Sequence, residues 1–160
     1  MRGSSRVCYD RPVKALVAAL LLTGSVASGE GDLRTTSGTP FSLSELLSRG
    51  PVVLVFWNTW LPHSEEFAGL LPEVEAAAER YGWPGAVVVF QDTGAEAART
   101  LPGSGGKLPR VLDRRGELVR RFKVTRAPAV LLVESSGAVR ARSGPAPDEV
   151  RELLRGMATR

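Results

Sequence analysis

Six consecutive apolar residues, Val52-Val-Leu-Val-Phe-Trp57, restrict this chain more than any other feature. β-branched and aromatic side chains favour extended backbone, and an unbroken apolar run, unlike an alternating one, suits a strand covered on both faces. Ala86 to Phe90 repeats the pattern. Two such strands with helical segments between them predict an α/β fold, a mixed sheet with helices on both faces. The chain has 160 residues, enough for one sizeable core but not two.

The segments between and after these strands fill in the order. Ser42-Leu-Ser-Glu45 is a capping box for a short helix that Gly50 can end. Pro62 suits the first residue of the next helix, because it lacks the donor that a helix start cannot use. From there Phe67, Leu70, Leu71, Val74, Ala78 and Tyr81 recur at helical spacing, with a kink expected at Pro72 and a stop at Gly82. Thr93 to Glu96 offers a second capping box, and 102–106 is a Gly/Pro/Ser loop. Val111 and Leu112 suggest a brief strand, and Glu117 to Phe122 one or two helical turns. Ala129 to Glu134 and Ala138 to Ser143 flank a hairpin signal, Ser135-Ser-Gly137. Val150, Leu153, Leu154 and Met157 put an apolar face on a closing helix. The expected order is β-α-β-α, then a β-hairpin and a helix.

The N-terminus reads as an address. Arg2, Arg6, Arg11 and Lys14 precede the apolar run Ala15 to Leu22, and small residues follow at Ser25 and Ala27. This is the pattern of a secretory signal over 1–27, and it leaves a domain over 28–160 exported to the periplasm or the extracellular space. The run of eight spans about 12 Å as a helix, short of the roughly 30 Å hydrocarbon core. Cys8 leaves with the signal, so the mature chain has no thiol. It carries 17 basic against 16 acidic residues, a balance that argues against a nucleic-acid partner.

Two local signatures give the pattern a family likeness. Phe56-Trp-Asn-Thr-Trp-Leu-Pro-His-Ser64 matches F-W-x-x-W-C-x-x-C, and Val124-Thr-Arg-Ala-Pro128 leads into the apolar Ala129 to Val133. In order and separation the chain, from about Asp32 to Met157, resembles the thioredoxin-like fold of the TlpA/ResA-like thiol–disulfide oxidoreductases. The resemblance implies a mixed sheet with helices on both faces and a cis-proline at Pro128. It also implies that backbone beside that proline pairs with an extended substrate.

The same alignment removes the chemistry. Leu61 and Ser64 stand where the family has its two cysteines. Disulfide exchange needs a thiolate to attack and a second thiol to resolve the mixed disulfide. A hydrocarbon and an alcohol supply neither. Val55 occupies the strand position where relatives often carry a buried Asp or Asn. The chain by itself is therefore expected to have no thiol-redox turnover, no catalytic residue and no cofactor. Pro62 and His63 keep the place of the dipeptide between the cysteines of some disulfide oxidases. A nucleophile–base pair from Ser64 and His63 is disfavoured, since adjacent helical residues point about 100° apart, and the lone His63 cannot complete a triad. The plainer role for Ser64 is to satisfy early helix amides. One histidine and no mature cysteine also disfavour a metal site.

What remains is recognition. Trp60, His63, Ala127 and Pro128 are the candidate binding residues for an extended peptide or exported protein partner, with Trp57 in the core. The basic residues Lys107, Arg110, Arg114, Arg115, Arg120, Arg121, Lys123 and Arg126 oppose an acidic long helix bearing Glu65, Glu66, Glu73, Glu75 and Glu79. They read either as solvated faces or as a surface that steers an acidic partner or makes a peripheral membrane contact. The expected function is a redox-inactive, non-catalytic binding or chaperone-like module. The alternative is an accessory component of a thiol–disulfide pathway that acts with a thiol-bearing partner.

Overall fold

The computed structural model describes residues 33–94, 101 and 106–157. The leader, Cys8, residues 95–96 of the second capping box and 102–105 of the Gly/Pro/Ser loop lie outside the described residues. In chain order the elements are β1 (Arg34–Thr35), α1 (Leu43–Ser48), β2 (Val52–Trp57), α2 (Ser64–Ala68), α3 (Leu71–Tyr81), β3 (Gly85–Phe90) and β4 (Arg110–Asp113). They continue with α4 (Glu117–Arg121), β5 (Ala129–Val133), β6 (Val139–Arg142) and α5 (Pro147–Gly156). One sheet has the order β1-β4-β3-β2-β5-β6. Its centre, β4-β3-β2, is parallel, while β1, β5 and β6 run antiparallel to their neighbours.

Burial on both faces follows from the continuous apolar runs. Val53, Val55 and Trp57 join Val87, Val89, Val130 and Leu132 on one face, beneath Phe67, Leu71, Val74, Val150 and Leu154 of α2, α3 and α5. The intervening Val52, Leu54 and Phe56 join Val88, Leu131 and Val133 on the other, beneath Leu43 and Leu47 of α1 and Leu118 of α4. Phe56 meets Phe122 edge to face, with ring centroids 6.2 Å apart, a contact worth about 0.5–1.5 kcal/mol beyond its area. Gly85 permits the close β2–β3 approach: a Cβ there would run into the Val53 carbonyl.

Two helix expectations are corrected. Pro62 does not start a helix; it lies in a turn in which the Ser64 N–H donates to the Leu61 carbonyl at 3.2 Å, and α2 begins at Ser64. His63, at φ 65°, is left-handed and ends the turn, and the residue before a proline resists helical backbone. Pro72 does not kink one long helix. It sits in the first turn of a separate helix, α3, after Gly69 caps α2, because it has no N–H to carry the ladder through. Gly82, at φ 67°, closes α3 as expected.

The β4–α4 turn depends on a residue that composition does not single out. Asp113 is fully buried at the end of β4, and its carboxylate accepts from the backbone N–H groups of Glu117, Leu118 and Val119 at 2.6, 2.9 and 3.1 Å. These are donors that the start of α4 would otherwise leave open.

Candidate functional site

Parallel β2, β3 and β4 all end on one edge of the sheet, and antiparallel β5 begins there, with Phe56 opposite Ala129. The Asn58–Ser64 segment and the Ala127–Pro128 loop therefore share this edge. The Ala127–Pro128 peptide bond is cis.

The buried end of β2 anchors the segment. The Trp57 indole Nε1 donates to the Ser64 carbonyl at 2.9 Å, tying strand to helix. Asn58 is fully buried. Its carbonyl accepts from the Ser64 hydroxyl at 2.6 Å, and its side-chain Oδ1 accepts from the Leu61 N–H at 3.1 Å. The Asn58 Nδ2 finds no acceptor among the described residues. On the β3 side, Asp92 accepts from the backbone N–H groups of Thr59 (2.8 Å) and Thr93 (2.9 Å). The β2 and β3 loops are thus held to each other by one carboxylate.

Leu61 and Ser64 both stand at this strand-to-helix junction, and they have different surroundings. Leu61 is half-buried and packs against the same apolar cluster as Ala127 and Val124. Ser64 is 3% exposed, with its hydroxyl committed to Asn58 rather than to helix amides. Neither position ionises, and Val55 lies in a wholly apolar layer with Trp57 and Phe67. His63 is exposed, with Nδ1 3.2 Å from Glu66 Oε2. It therefore turns toward Glu66 while the Ser64 hydroxyl is used elsewhere. Among the described residues no group of His, Cys, Asp and Glu could hold a metal ion.

The four candidate binding residues do not form one patch. Pro128 is buried and Ala127 half-buried, so the loop offers Thr125 and Arg126 to solvent instead. They border a cavity of about 420 Å³ that Arg142, Ser143 and Glu149 also line. Trp60 is 59% exposed and turns the other way. Its indole lies over the β3 loop, Nε1 3.3 Å from the Gln91 carbonyl, and lines a second cleft of about 360 Å³ with Asp92, Thr93 and Arg114.

Asn58 and Asp92 are the organising residues that the sequence pattern did not isolate. Each follows a strand directly or nearly so and accepts from backbone within a few residues, which is the habit of Asn and Asp in turns.

No family model matches the chain, and no curated protein matches it. Solved structures do. A secreted disulfide oxidoreductase of Mycobacterium tuberculosis, homologous to E. coli DsbE, superposes with TM-score 0.61 at 19% identity over 77% of this chain and 92% of that one. M. tuberculosis DsbF, in mixed oxidised and reduced forms, gives 0.60 at 25% identity over 78% and 92%. The exposed lipoprotein thioredoxin of Streptococcus pneumoniae gives 0.61 at 21% identity over 78% and 97%. With the strand order and the β2–α2 junction already described, these superpositions establish that this chain has a thioredoxin-like fold.

Proposed function

We propose that the protein is an exported thioredoxin-fold module without redox chemistry of its own, which binds an extended polypeptide at the β2–α2 and β5 edge. The observation that carries this reading is the replacement of both thiol positions, by half-buried Leu61 and by Ser64, whose hydroxyl is spent on Asn58. The edge keeps the means to bind: exposed Trp60 and His63 on one loop, Thr125 and Arg126 beside Ala127 on the other. Export is supported by the leader pattern and by the secreted and exposed proteins among the structural neighbours.

The test joins a redox assay to a binding assay. Insulin reduction by the protein should stay at background, and a permanently unfolded, thiol-blocked polypeptide should bind, with weaker binding in Trp60→Ala and His63→Ala. Turnover above background, or no binding of the unfolded chain, refutes the proposal. The neighbours that act as disulfide oxidoreductases favour a second reading, an accessory in a thiol–disulfide pathway. It is distinguished by turnover that arises only when a dithiol oxidoreductase is added.

A further inference from the structure

Much of the described surface pairs its opposite charges. Arg151 of α5 reaches both Glu73 and Asp148, Lys107 meets Glu79, and Arg49 meets Glu45. The cavity of about 420 Å³ beside the loop before β5 breaks this habit. Glu149 and Glu152 line it from α5, Arg126 from the loop and Arg142 from the end of β6. All four are exposed, and none of them makes an ion pair among the described residues. Two acids and two bases thus surround one hollow without closing on each other.

The fold sets these groups out. Glu149 and Glu152 are three residues apart and share one face of α5. A Cβ at Gly144 would run into the Glu149 carboxylate, so the glycine leaves that carboxylate its place above the turn between β6 and α5. Arg142 Nη1 donates to the Lys123 carbonyl at 3.3 Å, which steadies the guanidinium without neutralising it. Between the charges, buried Leu131 and Leu153 line the cavity with hydrocarbon. Apolar lining with a few convergent polar groups, in a volume of this size, is the usual make-up of a small-ligand site.

The charges also select the ligand. A cation drawn to Glu149 and Glu152 meets the two arginines, and an anion drawn to the arginines meets the two glutamates; like charges brought together this way disfavour both. A molecule carrying one charge of each sign satisfies all four residues, and an apolar body between its charges covers the leucines. We infer that this cavity binds an apolar zwitterion, an α-amino acid or short peptide with free ends, its ammonium at Glu149 and Glu152 and its carboxylate at Arg126 and Arg142. Arg126 is shared with the polypeptide-binding edge, but the inference does not rest on that reading: this ligand needs both ends free, and an extended chain crossing the edge needs neither.

The test is an NMR titration of the nitrogen-15-labelled full chain with leucine, dileucine and trileucine, followed at the amides of 124–126, 142–144 and 149–153. Saturable shifts are expected there, and the tightest of the three tells a free amino acid from a peptide. N-acetylation or C-amidation of that ligand should each weaken binding at least about tenfold, since each removes a charge-assisted hydrogen bond. E149Q/E152Q should weaken the free and amidated ligands by a similar factor and leave the acetylated one within about twofold, because its ammonium is already gone. R126Q/R142Q should do the reverse, weakening the free and acetylated ligands and sparing the amidated one; R126Q alone repeats this direction with the Arg142–Lys123 contact intact. The rest of each spectrum shows that the variant is folded. No saturable shift at these amides, a blocked ligand that binds as tightly as the free one, or charge variants that weaken all three forms alike overturns the assignment. Binding of the unfolded, thiol-blocked polypeptide is measured separately, so either reading can fail while the other stands.

Discussion

Removing the Ser64 hydroxyl separates a structural serine from a chemical one. Its Oγ donates to the Asn58 carbonyl at 2.6 Å, and both residues are buried. Ser64→Ala leaves that carbonyl without this donor, and an unsatisfied buried acceptor costs about 1–3 kcal/mol. Alanine returns at most roughly 0.5 kcal/mol through better helix propensity. The net loss is then about 0.5–2.5 kcal/mol, and at roughly 3–5 °C per kcal/mol for a domain of this size the melting point falls by about 2–12 °C. The assay is urea unfolding followed by tryptophan emission, since the Trp57 indole donates to the Ser64 carbonyl and reports the same junction. The midpoint should fall with an unchanged slope. Ser64→Cys should fall between alanine and the unaltered chain, because a thiol is a weak donor. A Ser64→Ala midpoint equal to that of the unaltered chain refutes the reasoning: the hydroxyl would then not be holding the junction, and its exclusion from chemistry would lose its basis.

Two other perturbations test the frame around the site. Asp113→Ala removes the acceptor of three α4 amides and should cost about 2–4 kcal/mol by calorimetry; Asp113→Asn, which keeps one carbonyl oxygen, should cost less. Glu73 and Arg151 make a two-pronged pair, with both N···O distances 3.1 Å. The hydrogen bond from Arg151 holds the Glu73 carboxyl below its usual range, and the same bond raises the Arg151 guanidinium. A depressed carboxyl contributes stability that is complete above its unfolded pKa and lost as pH falls through the folded one. The stability difference between the unaltered chain and Glu73→Gln should therefore be present at neutral pH and vanish in acid below the ordinary glutamate range. It should be small at any pH, because both side chains are about half exposed. A difference that grows in acid contradicts the assignment.

The sheet was legible in the sequence because its strands are apolar on both faces, and no helix can compete for Val52–Trp57 or Ala86–Phe90 without exposing half of each run. The Ser135–Gly137 hairpin and the Gly82 stop rest on local backbone preferences and form as expected. The errors came from prolines. Pro62 and Pro72 each have a legitimate place at a helix start, and sequence alone does not say which helix, or whether one stripe belongs to one helix or two. Phe67 and Val74 share a face across the break at Gly69, so the periodicity continues through a gap in the hydrogen-bond ladder. The two-residue β1 was invisible, since a pairing of Arg34 and Thr35 with β4 leaves no apolar pattern. Within the site, the places of Leu61 and Ser64 were readable from the F-W-x-x-W spacing. The direction of Trp60 was not, because it depends on the Gln91 backbone, 31 residues away in sequence.

Leu61 and Ser64 also differ in what a cysteine would meet at each position. Ser64 is close in size to cysteine and sits in a slot shaped for a small buried side chain, so a thiol would fit there. Leu61 is not a placeholder of that kind. A leucine at the turn before α2 adds apolar contact to the cluster that includes Ala127 and Val124, and each buried methylene there is worth about 0.8 kcal/mol. Leu61→Cys would open part of that cluster as well as introduce a thiol. Leu61 therefore serves as packing surface and ties the Asn58–Ser64 turn to the Pro128 loop by hydrocarbon, where a reactive pair would need it open. A module that must hold a chain without reacting with it gains rigidity from this change, whereas one awaiting a borrowed thiol loses access.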